Sequence, residues 1–112
     1  AKIVNNTYVY NFCGILNLKE CISLVNKMDM VLGVDTGFCH VASAFNIPTL
    51  SIFGHTPINQ WGLLGKKSIN FSLNLDCSPC NNPNKCKKQH FCIKNITFLD
   101  LKPTIDKLLN TI

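Results

Sequence analysis

Two kinds of apolar pattern alternate along this chain. Met30-Val31-Leu32-Gly33-Val34 and Thr49-Leu50-Ser51-Ile52-Phe53 are apolar runs of strand length, the pattern of strands covered on both faces in a parallel sheet. Leu18, Cys21, Ile22 and Val25 instead recur at helical spacing. They predict a helix over 17–25, with Asn17 as N-cap and Glu20 closing a capping box. A second short helix is predicted over 38–45, stopped by Asn46 and Pro48. Tyr8–Phe12 reads as a strand broken by Gly14, and Ser68–Leu75 as a further strand. His55–Lys67, with Pro57, Gly62 and Gly65, reads as a loop. So does 77–92, with Pro79 and Pro83. Leu101–Leu109 predicts a closing helix, with Asp100 as its N-cap and Pro103 in its first turn. Alternation of strand and helix implies right-handed crossovers. The expected fold is α/β, a Rossmann-like three-layer parallel sheet.

Composition narrows the class. The chain has 112 residues, 46% hydrophobic and 15% charged, which suits one globular domain. No apolar run approaches the ~20 residues of a membrane span. Ala1-Lys2-Ile3-Val4 lacks the layout of a signal peptide, and the chain begins abruptly, as an excised or partial domain does. The net charge is +5, carried by lysine without any arginine. That weighs against sequence-specific nucleic-acid recognition, where arginine is the usual reader. The lysine excess suits an anionic substrate or membrane surface, or a solvated basic face. Seven cysteines without an export signal suit reduced, buried or metal-bound thiols better than a secreted disulfide framework. Cys13, Cys21 and Cys39 sit in apolar patterns and read as core.

Candidate chemistry concentrates at strand ends, where open parallel sheets bind ligands. Asp35-Thr36-Gly37 follows the first apolar run, and the next helix begins at Thr36 or Gly37. The first N–H groups of that helix have no intrahelical partner and attract phosphate without a basic side chain. Gly37 leaves the backbone open to a ligand, and Thr36 adds a hydroxyl. His40, at i+4 from Thr36, points back toward the helix start. Asp-Thr-Gly is also an aspartic-protease tripeptide, but that chemistry needs a paired carboxylate in a β-rich fold. Gly54, His55 and Thr56 follow the second strand and border the same crevice. Trp61 either lines the pocket or covers the core.

Gly-Val-Asp-Thr-Gly-x-x-His-x-Ala-x-Ala at 33–44, Pro-Thr at 48–49, Phe-Gly-x-Thr-Pro at 53–57 and Trp-Gly-x-x-Gly at 61–65 resemble the C-terminal domain of family 9 glycosyltransferases, which include bacterial lipopolysaccharide heptosyltransferases. Gly14–Glu20 and the cysteine-rich stretch are similar to further family segments, so the resemblance runs from Tyr8 to Leu109. It implies the C-terminal, donor-binding half of a GT-B fold, which holds a nucleotide-sugar such as ADP-heptose for inverting transfer to the lipopolysaccharide inner core. Asp35, Thr36, Gly37 and His40 match the diphosphate- and sugar-contacting motif. Leu16 falls where the family sets an apolar side chain against adenine. His55 departs from the proline usual between Gly and Thr, and Phe38-Cys39 from small or apolar residues. The resemblance puts the general base, an aspartate, in an N-terminal domain that is not in this chain. It also puts a basic phosphate-contacting residue upstream, so the chain is expected to bind donor weakly and to be inactive alone. It implies a cytoplasmic enzyme with peripheral contact at the inner membrane face, without nucleic acid.

Cys77-x2-Cys80-x5-Cys86-x5-Cys92 gathers four thiols, the number of a tetrahedral zinc set. Two disulfides or free thiols fit the spacing as well. Family catalysis uses no metal, so zinc here would be structural. His90 is a further candidate ligand. An alternative function is a small zinc-bearing binding module built on this loop, which would bind oligonucleotide in a salt-dependent way.

Overall fold

The computed structural model describes residues 8–112; the Ala1–Val4 segment lies outside them. Strands β1 (Val31–Val34), β2 (Thr49–Phe53) and β3 (Ser68–Ser72) form one sheet in the order β1-β2-β3. Both pairings are parallel, with Val34 beside Ile52 and Phe53 beside Ser72. Helix α1 (Leu18–Val25) packs on α2 (Gly37–Ala44), and α2 packs on β1 and β2. Helix α5 (Phe98–Leu109) covers β2. The Rossmann-like α/β expectation holds.

The central strand accounts for the layering. Leu50 is fully buried against Leu101 and Leu108 of α5, with Ile52, Ile69, Phe71 and Ile105 packed around them. Thr49, Ser51 and Phe53 alternate to the other face and are also buried. Gly33 pairs with Ser51, and a Cβ on it would stand 2.6 Å from Cys39 Sγ. The lack of a side chain there lets α2 lie directly on β1.

Several expectations need correction. Tyr8–Phe12 is not a strand, and Tyr8 and Tyr10 are exposed; strand propensity is realised only beside an edge to pair with. β1 is not covered on both faces. Leu32 and Val34 share a face with Leu50 and Ile52 and stay about half exposed, because α5 reaches β2 but not across β1. Of the three cysteines read as core, Cys39 is fully buried, Cys21 is half-buried and Cys13 is exposed. The predicted 55–67 loop contains a one-turn helix, α3 (Ile58–Trp61). The cysteine-rich loop contains a 3-10 turn at Pro83–Lys85 and a one-turn helix, α4 (Phe91–Lys94).

Helix α1 starts as expected. The Asn17 Oδ1 accepts from Glu20 N–H (3.1 Å), and Glu20 Oε2 accepts from Asn17 N–H (2.8 Å). Helix α5 starts one turn earlier than expected. Thr97 is its N-cap, and Asp100 Oδ2 takes both the Thr97 N–H and hydroxyl at 2.7 Å. Pro103 therefore lies in the second turn, where it has no N–H to donate to the Leu99 carbonyl. The Thr97 N–H and hydroxyl hold the Asp100 carboxyl below its usual range. A depressed carboxyl pKa adds stability that is fully present above the unfolded value and is lost as pH falls through the folded one. Thr97→Ala removes the hydroxyl donor while the backbone N–H stays, and is thus expected to lower the thermal midpoint slightly near neutral pH. The thermal midpoints of variant and parent should converge in acid. A gap that stays constant from neutral pH down through the carboxylate range would contradict this account.

Candidate functional site

Parallel pairing brings two strand ends together. Asp35 N–H donates to the Ile52 carbonyl (3.2 Å), so Asp35 leaves the sheet beside the end of β2. Thr36 follows in extended conformation (φ −144°, ψ 159°), and α2 begins at Gly37. The Thr36 hydroxyl does not cap the helix; it lies 3.9 Å from Cys39 Sγ. The Cys39 N–H turns back to the Thr36 carbonyl (3.1 Å). The N–H groups of Gly37 and Phe38, in the first turn, have no carbonyl a turn earlier to accept them. Thr36, Gly37 and Phe38 are exposed, and a Cβ on Gly37 would meet nothing within 4 Å. A helix start of this kind is open to an anion.

The Asp35 carboxylate collects two other expected site residues. The Thr56 hydroxyl donates to Asp35 Oδ2 at 2.8 Å, and His40 Nε2 stands 3.9 Å from Asp35 Oδ1. The side chains of His40 and Asp35 are 45% and 25% exposed, so the group is reachable from solvent. Asp35 therefore does more than shape the turn: it ties the loop after β2 to the start of α2. A carboxylate beside an anion site repels phosphate and accepts from hydroxyl groups. Trp61 is exposed and shares an open depression of about 460 Å³ with His40, Gln60 and Leu64, so it lines the site's flank rather than the core. Leu16 is half-buried at the entrance to α1 and is not among the residues that meet at Asp35.

Gly54 serves packing rather than a sharp turn. A Cβ there would come within 2.6 Å of Ile93 Cγ1 and 3.3 Å of Cys92 Sγ. The loop from 77 to 93 thus props the Gly54–Thr56 segment from below. The Ser78 hydroxyl donates to the Gly54 carbonyl, and Asn81 N–H donates to the His55 carbonyl at 2.8 Å. Sequence reasoning missed Ser78, Asn81 and Ile93. Their partners are backbone atoms and a glycine more than twenty residues away, which leave no local pattern.

Cys77, Cys80, Cys86 and Cys92 line one pocket of about 400 Å³ together with Lys85, Lys87 and Lys88. All four are free thiols. Among the described residues, no three His, Cys, Asp or Glu side chains are gathered closely enough to hold a metal ion as they stand. Burial, followed by the neighbouring Cys86, Cys80 and Cys77, pushes the Cys92 thiol up. Also among the described residues, no helix is long and apolar enough to cross a membrane.

A model of glycosyltransferase family 9 (heptosyltransferase) matches residues 1–90. The chain is 31% identical over 101 residues to lipooligosaccharide heptosyltransferase 2 of Campylobacter jejuni, covering 88% of this chain and 30% of that protein. It is 32% identical over 92 residues to lipopolysaccharide heptosyltransferase 1 of Campylobacter coli, covering 82% and 26%. It is also 39% identical over 49 residues to lipopolysaccharide heptosyltransferase 1 of Pseudomonas aeruginosa, covering 44% and 14%. No solved structure matches significantly. The chain thus spans under a third of the length of these relatives. The matched stretch contains Asp35, Thr36, Gly37, His40 and Thr56, and the chain belongs to glycosyltransferase family 9, the heptosyltransferase family.

Proposed function

We propose that this chain supplies the donor-binding part of an inverting glycosyltransferase that transfers heptose from ADP-heptose to the lipopolysaccharide inner core. The open helix start at Thr36-Gly37, joined through Asp35 to His40 and Thr56, carries this reading. The Gly37 and Phe38 N–H groups and the Thr36 hydroxyl receive the diphosphate. His40 lies at the same end of α2 and adds a donor to it. As the sugar leaves, charge grows on the diphosphate, and preorganised donors stabilise it without rearranging. Asp35 holds the Thr56 loop in place and meets sugar hydroxyls. Leu16 is assigned to the adenine face. The carboxylate that takes the acceptor proton belongs to the N-terminal half of the family's GT-B fold, as does contact with the acceptor. Work takes place on the cytoplasmic face of the inner membrane, in peripheral contact with it.

Trp61, the sole tryptophan, reports on the site because it flanks His40. Titrating the chain with ADP-heptose should change its emission saturably. ADP alone should compete, and an oligonucleotide should not. Silence toward every nucleoside-diphosphate sugar, in fluorescence and calorimetry alike, would overturn the reading.

A further inference from the structure

The cysteine-rich loop is not used by the donor site, yet it supports that site's backbone. We infer that Cys77, Cys80, Cys86 and Cys92 together bind one structural zinc ion, which fastens the 77–93 loop beneath Gly54 and His55. Four thiolates are a complete tetrahedral set for zinc, and a Cys-x2-Cys pair is a common half-site. The four thiols, distant by up to 15 positions in the chain, line a single pocket. As they stand the thiols are not drawn together closely enough to ligate an ion, so binding closes the loop about the metal, as in small sites where folding and binding are coupled.

Two further observations favour a metal over a pair of disulfides. The His90 N–H donates to Cys86 Sγ at 3.2 Å, placing a peptide dipole against a sulfur that bears charge only as a thiolate. Lys85, Lys87 and Lys88 line the same pocket. Zinc with four thiolates carries a net charge of about −2, and these lysines offset it. Disulfides are neutral and have no use for such a cationic wall. The site is independent of the donor reading. Its structural consequence is local: Cys92 Sγ lies under Gly54, while Ser78 and Asn81 of the same loop hold the Gly54 and His55 carbonyls.

The test is metal analysis of the full chain, purified under reducing conditions without a metal-binding tag. One zinc per chain is expected, released stoichiometrically by a mercurial reagent. Replacement by cobalt should give the charge-transfer and d–d bands of a tetrahedral tetrathiolate. Cys80→Ser and Cys86→Ser should each lower zinc occupancy by tenfold or more, whereas His90→Ala should keep it. The cobalt spectrum reads the parent chain, so it decides the matter even if a cysteine variant fails to fold. Metal-free protein, iron in place of zinc, two disulfides in the native mass, or zinc lost in His90→Ala but retained in Cys86→Ser would each overturn the assignment.

Discussion

Gly37→Val is expected to weaken nucleotide-sugar binding by about 100-fold or more while leaving the thermal midpoint nearly unchanged. The two halves of this expectation have separate causes. A Cβ at position 37 would meet no protein atom within 4 Å, so the fold has nothing to lose by overlap. The first helical position also tolerates most side chains, because its N–H makes no intrahelical bond. On the proposed reading, the same open space is where a diphosphate approaches the Gly37 and Phe38 N–H groups. A branched side chain there blocks two hydrogen bonds to a charged group, each worth about 1.5–3 kcal/mol, and every 1.4 kcal/mol is roughly tenfold in affinity. Gly37→Ala should fall between parent and valine variant. Calorimetric titration with ADP-heptose, beside a melting curve, separates the outcomes. Unchanged affinity in the valine variant would remove the helix start from the site, and a collapsed midpoint would show that position 37 is structural.

Gly54→Val is expected to have the opposite signature, a large loss of stability accompanied by weaker binding. Its Cβ would stand 2.6 and 2.7 Å from Ile93 Cγ1 and Cδ1, closer than carbon atoms pack. Relief requires the Ile93 side chain to rotate off its contact, α4 to move away or the Gly54 backbone to lift. Overpacking of this kind costs about 1–3 kcal/mol, which lowers the midpoint of a domain this size by roughly 5–15 °C. Lifting Gly54 displaces Thr56 two residues later and breaks its 2.8 Å bond to Asp35. Ile93→Ala removes the colliding atoms, so the double variant should recover part of both losses, as contacting residues do in a double-mutant cycle. Strictly additive losses in stability would show that the two side chains do not meet.

Much of the candidate site can be read from residues in order, because it is local. Asp35, Thr36 and Gly37 are consecutive, and His40 follows one turn on, so strand end and helix start appear in the string of letters. Likewise Asn17 and Glu20 announce α1 by their spacing alone. Three kinds of information are not local. The Thr56–Asp35 bond spans 21 positions and depends on which strand lies beside which. The need for glycine at 54 comes from Ile93, a contact made only when the loop folds back. The start of α5 depends on which of two polar residues three apart, Thr97 or Asp100, takes the cap. Asp100 reads as a cap from its position before Leu101, yet it serves better reaching back to Thr97. Tyr8–Phe12 illustrates the limit of propensity, since its residues favour a strand but the described sheet offers it no neighbour.

The contact between Gly33 and Cys39 constrains how this chain can change. Position 33 lies on β1 and position 39 on the helix above it, and the distance available for both side chains together is fixed by the spacing of the two layers. Neither position is free by itself. An alanine at 33 is tolerable only if 39 shrinks or the helix rises, and a rising helix takes His40 away from Asp35. Substitutions at these two sites should therefore be inherited as compensating pairs. A library randomised at both and selected for nucleotide-sugar binding should return a nearly constant summed volume, with the smaller residue on the strand.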